Sequence, residues 1–145
     1  MFADRRKAPK TFYIITVMLD PQTGTLCLPH NILLSSGTNF DTLKETLQEH
    51  KGIDFVCEER YGLYQIIYLS HVEVDGLRYM FEIFFDKKRL TSILMDFECM
   101  SAGNGITLEE WLTDQLGNLR QFSWGEINTI EHPKFCVPLI SLKYS

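Results

Sequence analysis

Apolar and polar positions alternate with a period of two through the middle of the chain, and they recur at helical spacing in one short stretch on each side of it. Three runs rich in β-branched and aromatic residues, 61–74, 77–85 and 89–99, predict three long strands, and a further strand is predicted near 53–59. Asp75-Gly76 lies between the first two long runs and is a residue pair that two-residue hairpin turns favour. That turn sets Val74 opposite Leu77, Val72 opposite Tyr79, Tyr68 opposite Ile83 and Glu73 opposite Arg78. At the next turn a three-residue loop, Asp86-Lys87-Lys88, puts Phe85 opposite Arg89, Phe81 opposite Ile93 and Tyr79 opposite Met95. Arg78 then faces Asp96. A two-residue loop would set Tyr79 against Asp96 and Arg78 against Phe97, so charge and apolar matching favour the longer one, although Lys88 must then adopt a conformation that glycine prefers.

The flanking stretches complete the set of elements. Residues 40–51 place Phe40, Leu43 and Leu47 on one helical face, with Thr38 or Asn39 as cap and Gly52 as stop. Thr107-Leu108-Glu109-Glu110 is a capping box, Leu108, Trp111, Leu112 and Leu116 form the stripe of a second helix, and Gly117 closes it. Residues 11–19 and 25–28 read as a hairpin around the turn Asp20-Pro21-Gln22-Thr23-Gly24, ended by Pro29. Residues 121–130 and 135–144 read as a final strand pair, with Pro138 marking the last strand as an edge or bulged one. The expected fold is α+β: a central antiparallel sheet of several strands with two helices packed on one face. Its expected layout is a flexible basic tail, 1–10, followed by a single domain, 11–145.

These registers give the sheet one apolar face: Ile66, Tyr68, Val72, Tyr79, Phe81, Ile83, Ile93, Met95 and Phe97. That face belongs against the helices. The opposite face sets Ile67, Met80, Phe84, Leu90 and Leu94 among Glu73, Arg78, Glu82, Asp96 and Glu98. An apolar centre inside a charged rim has the composition of a protein interface, unless the terminal hairpins cover it. Ile67, Glu82, Phe84, Leu90, Asp96 and Glu98 are the candidate partner-binding residues.

Composition narrows the chemistry. The net charge is -5, yet Arg5, Arg6, Lys7 and Lys10 against Asp4 leave ten basic and eighteen acidic residues from position 11 onward. An acidic body repels nucleic acid and anionic membranes and suits a basic protein partner. Cys27, Cys57, Cys99 and Cys136 stand far apart, without the paired spacing of zinc or redox motifs, and no apolar run reaches export or membrane-spanning length. A reduced, cytoplasmic protein is expected. Cys27-Leu28-Pro29-His30 holds half a metal or thiol-base pattern with no second half; His50, His71 and His132 stand apart from one another. Asp96 and Glu98 share a strand face, but solvation or pairing with Arg78 accounts for them. Gly103-Asn104-Gly105 lacks the continuation of a phosphate loop. Trp124 is expected beneath the second helix, with an exposed anchoring role as the other option. No catalytic residue, metal site or cofactor is expected.

Two stretches carry a resemblance: Leu19-Asp20-Pro21-Gln22-Thr23-Gly24-Thr25-Leu26, and residues 122–127 followed by Ile140-Ser141-Leu142-Lys143-Tyr144. In these stretches and in its general layout the chain resembles small immunity proteins of bacterial polymorphic toxins, from contact-dependent and type VI secretion systems. The resemblance implies a toxin inhibitor without enzymatic activity that binds one cognate toxin in the producing cell. The alternatives are a small-molecule-binding or enzymatic α+β domain, and an adaptor or effector-loading chaperone.

Overall fold

Ten strands and two helices make up the regular structure among the described residues, which are 18–50, 52–74, 76–99, 107–132, 134 and 138–145 of a computed structural model. For Met18, Val74, Glu98 and Cys99 only the backbone is described. The expected tail 1–10, most of the expected strand 11–19, the Gly103-Asn104-Gly105 loop and residues 135–137 lie outside that set. In chain order the elements are β1 (Met18–Leu19), β2 (Leu26–Leu28), β3 (Ile32–Leu34), α1 (Phe40–Glu49), β4 (Asp54–Arg60) and β5 (Tyr64–Val74). There follow β6 (Leu77–Asp86), β7 (Arg89–Cys99), α2 (Leu108–Leu116), β8 (Gln121–Phe122), β9 (Gly125–Glu131) and β10 (Pro138–Tyr144). One antiparallel sheet runs β4-β5-β6-β7-β10-β9-β8, and a small one runs β1-β2-β3.

Local chemistry sets the helix ends. The Asn39 side chain accepts the Thr42 N–H at 3.0 Å to start α1, which stops at Glu49, before Gly52. The capping box of α2 forms in full: Thr107 Oγ1 accepts the Glu110 N–H at 3.1 Å and Glu110 Oε1 accepts the Thr107 N–H at 3.0 Å. Phe40, Leu43 and Leu47 of α1 and Trp111, Leu112 and Leu116 of α2 enter one core with Ile67, Leu69, Phe81, Ile83, Ile93 and Met95 of the large sheet. The small sheet adds Leu26, Leu28, Ile32 and Leu34 to the same core. Its third strand was not expected: Pro29 ends β2, but Pro29–Asn31 form a 3₁₀ turn, with His30 and Asn31 at positive φ, that reverses the chain into β3.

The sheet registers depart from the simple hairpins at two points. Asp75-Gly76 does set Val74, Glu73 and Val72 opposite Leu77, Arg78 and Tyr79, but an extra residue in β5 then moves Tyr68 opposite Glu82 and Ile67 opposite Ile83. His71, with φ 62, takes up the distortion. The β6–β7 turn is a two-residue one, Lys87-Lys88, with Asp86 opposite Arg89 and Phe85 opposite Leu90. Both lysines adopt positive φ, 52 and 70. Lys88 is held there by several contacts. Its N–H donates to Gln65 Oε1 at 2.8 Å, its Nζ lies 3.1 Å from Asp41 and 3.6 Å from Glu59, and its ammonium stands 5.0 Å from the centre of the Phe40 ring. An extra residue at Thr91 then sets Ile83 opposite Ile93, Phe81 opposite Met95, Tyr79 opposite Phe97 and Met80 opposite Asp96. Arg78 therefore stands between positions 73 and 98 on the neighbouring strands, with Nε 3.5 Å from Glu73, and not opposite Asp96.

β10 is also placed differently: it lies inside the sheet, between β7 and β9, with Pro138 at its first position, where a missing N–H disturbs the ladder least. The end of β10 clasps the small sheet. Tyr144 donates its hydroxyl to the Gly24 carbonyl at 2.7 Å, and Trp124 donates its indole N–H to the Pro21 carbonyl at 2.9 Å. The Trp124 ring packs over Gly24 and stacks with Phe122 at 5.1 Å, so this tryptophan docks the N-terminal turn.

Gly24 has φ +74, and a Cβ there would run into the Trp124 indole. Gly24→Ala is expected to destabilise the protein by about 1–3 kcal/mol, read as a lower urea midpoint at unchanged slope. Burial pushes the Tyr144 phenol well above the usual tyrosine range. The unfolded chain therefore releases this proton near pH ~10 while the folded one retains it, so stability is level below that pH and falls above it. Tyr144→Phe should flatten part of this alkaline loss in urea titrations between about pH 9 and 11.

Candidate functional site

The extra residue in β5 decides which candidate residues share a face. Ile67 is 0% exposed and Leu90 is 2% exposed; both belong to the core among the helices, which corrects their expected place on the partner-binding face. Tyr68 and Ile66 make the reverse exchange and lie with Phe84 and Glu82 on the outer face. Glu82, Phe84 and Asp96 are on that outer face, as expected from their strand positions. The backbone of Glu98 stands opposite Arg78, and its side chain is outside the described residues.

Across the outer face, β4 contributes Asp54, Val56, Glu58 and Arg60, and β5 contributes Tyr64, Ile66 and Tyr68. β6 adds Arg78, Met80, Glu82 and Phe84, followed by Ser92, Leu94 and Asp96 of β7 and Leu139, Ser141 and Lys143 of β10. Exposure is greatest at β4, where Asp54, Val56, Glu58 and Arg60 are all exposed, whereas Ile66 of β5 is buried and Lys143 of β10 is exposed. Leu139 and Ser141 are buried, Phe84, Leu94 and Asp96 are half-buried, and Val56, Tyr64 and Met80 are exposed. The open half of the face therefore lies over β4, β5 and β6. Met80 was already expected on this face, whereas Tyr64 was missed because a simple register turns β5 the wrong way up, and Val56 lies on β4, whose register the sequence did not fix.

Several carboxylates on this face have partners within the chain. Glu82 Oε2 lies 3.3 Å from His132 Nε2, and Asp96 Oδ1 accepts the N–H of Phe97 at 2.8 Å. Glu58 Oε2 accepts from Arg60 at 3.2 Å and from the Tyr68 hydroxyl at 3.3 Å. Burial, with the nearby Glu58 carboxylate, raises the Tyr68 phenol above its usual range. Asp54 and Glu73 are exposed at the margins of the open half. Its chemistry is thus aromatic and aliphatic surface edged mostly by carboxylates.

Among the described residues the remaining candidates do not come together as a group. Cys27 and Cys57 are half-buried free thiols whose pKa values burial raises, which disfavours the nucleophilic thiolate. The His30 ring stacks on His50 with centroids 5.0 Å apart, and no three His, Cys, Asp or Glu residues group as metal ligands among the described residues. No described helix is long and apolar enough to cross a membrane. No protein-family model, curated protein or solved structure matches this chain.

The assignment of faces is open to direct measurement. Ile67→Ala is expected to cost about 2–5 kcal/mol as a core truncation. Val56→Thr, on the open half, should change stability by no more than ~0.5 kcal/mol. Equal effects in chemical denaturation would contradict the register.

Proposed function

We propose that the chain is a protein-binding immunity protein that captures a cognate, basic bacterial toxin domain and blocks it by occupation. The observation that carries this is the open half of the outer face, where Val56, Tyr64 and Met80 are exposed beside Asp54, Glu58 and Glu73. Aromatic and aliphatic groups on a firm strand platform supply area that excludes water, while carboxylates at the margin favour Lys and Arg on the partner and speed encounter. Glu82, Phe84 and Asp96 border this patch on its more enclosed side. A partner seated here needs no bond-making chemistry from the chain; inhibition follows from covering the toxin's own cationic site. The resemblance of residues 19–26, 122–127 and 140–144 to bacterial immunity proteins supports the class of partner.

The test starts from purification of the native protein with its bound partners and their identification by mass spectrometry. The partner is expected to be toxic when produced alone and harmless when co-produced with this chain. Met80→Lys and Tyr64→Ala should weaken the purified complex by about tenfold or more, mainly through faster dissociation, with circular dichroism unchanged. Glu73→Lys should slow association at low salt and lose that effect at high salt. Unchanged binding in all three variants would place the interface elsewhere and remove this proposal.

A further inference from the structure

The large sheet ends at β4, which pairs with β5 along one flank and has no strand beside its other flank among the described residues. An uncovered seven-residue edge is a template for another strand unless something blocks it. The usual blockers are charges, and β4 carries Asp54, Glu58, Glu59 and Arg60. Three of these already have partners: Glu58 binds Arg60 and Tyr68, and Glu59 lies 3.6 Å from Lys88. Asp54 is exposed and has no hydrogen bond or ion pair among the described residues. We infer that this edge docks a second copy of the chain, β4 against β4 in antiparallel pairing about a two-fold axis at Cys57.

The register follows from faces and charges. A two-fold axis perpendicular to a continued sheet keeps outer side chains outer, and directly opposed residues share a face, so one residue must sit on the axis opposite its own copy. Val56 on the axis would set Asp54 against Glu58 of the second copy at both ends, and Glu58 on the axis would oppose itself. Cys57 on the axis overlaps the whole strand, sets Asp54 opposite Arg60 at both ends and leaves no like charges directly opposed. The same register closes a second strand over Phe55 and Cys57, which are half-buried at the rim of the core, and over Val56, 62% exposed on the other side. Tyr61, 93% exposed and held at φ 56 in the turn after β4, then stands opposite position 53 of the second copy. A self-complementary strand of this kind selects its own copy over an unrelated basic strand, because each end offers one carboxylate and one guanidinium.

The second copy would border the proposed toxin-binding face at Asp54 and Val56, but dimerisation is read on the purified chain without the toxin, so its failure leaves the proposed function standing. Sedimentation equilibrium of the purified chain should show a dimer. Asp54→Lys alone, or Arg60→Glu alone, should weaken it by about tenfold or more, since each turns two attractive cross-strand pairs into two repulsive ones. The double variant Asp54→Lys/Arg60→Glu should restore dimerisation to within a few-fold of the original, with circular dichroism confirming an unchanged fold throughout. A wild-type chain that remains monomeric up to about 0.1 mM, or a double variant no tighter than the single ones, overturns the proposal.

Discussion

A sheet with one dry face demands that apolar side chains keep a single parity along each strand, and β5 and β7 break that parity. In β5 the core-facing residues are Ile67 and Leu69 before the break and Val72 after it; in β7 they are Leu90 before and Ile93, Met95 and Phe97 after. One inserted residue in each strand absorbs the change. Without the first insertion Ile67 and Leu69 would face away from the helices; without the second, either Leu90 or the three residues beyond it would do so. The site of α1 depends on the same device, because Phe40 donates its backbone N–H to the Lys88 carbonyl at 2.8 Å and Leu90 donates to Thr38 at 2.9 Å. The start of β7 thus carries the helix onto the sheet, while Thr91 returns the rest of the strand to register.

Much of this was legible from local chemistry. Asn39, the Thr107–Glu110 box, Gly117 and the Asp75-Gly76 turn each act within a few residues, and each produced the element expected of it. The parity changes were also present as the spacings from Leu69 to Val72 and from Leu90 to Ile93, but a hairpin register propagated from its turn passes straight through them. That is how Ile67 and Leu90 came to be expected on the outer face while Tyr68 was expected inside. The Lys87-Lys88 turn was hidden for a different reason. Two lysines at positive φ are poor turn residues by themselves, and what holds Lys88, namely Gln65, Asp41, Glu59 and Phe40, lies 23 to 48 positions away. The interior position of β10 depends likewise on long-range pairing that Pro138 argues against locally.

The two faces of the sheet have different duties. On the inner side, residues from both sheets and both helices fill one continuous core, so changes there are felt as lost packing. On the outer side, Leu139 and Ser141 of β10 are buried while the β4 residues are exposed, and the polar groups settle into short pairs such as Glu82 with His132 and Glu58 with Arg60. An exposed pair such as Glu58 with Arg60 contributes little to stability, which leaves the open end of the face comparatively free to vary.

The two tryptophans divide between separate parts of the molecule, and this makes its unfolding resolvable by light. Trp111 is buried in the core beside Phe97, with ring centroids 6.4 Å apart. Trp124 lies half-exposed over Gly24, where the small sheet docks. Emission from a protein retaining only Trp111 reports loss of the main core; emission from one retaining only Trp124 reports release of the N-terminal turn. If the small sheet detaches before the large one melts, the two emission curves separate along a denaturant axis, and the gap between them measures the free energy of a local opening directly.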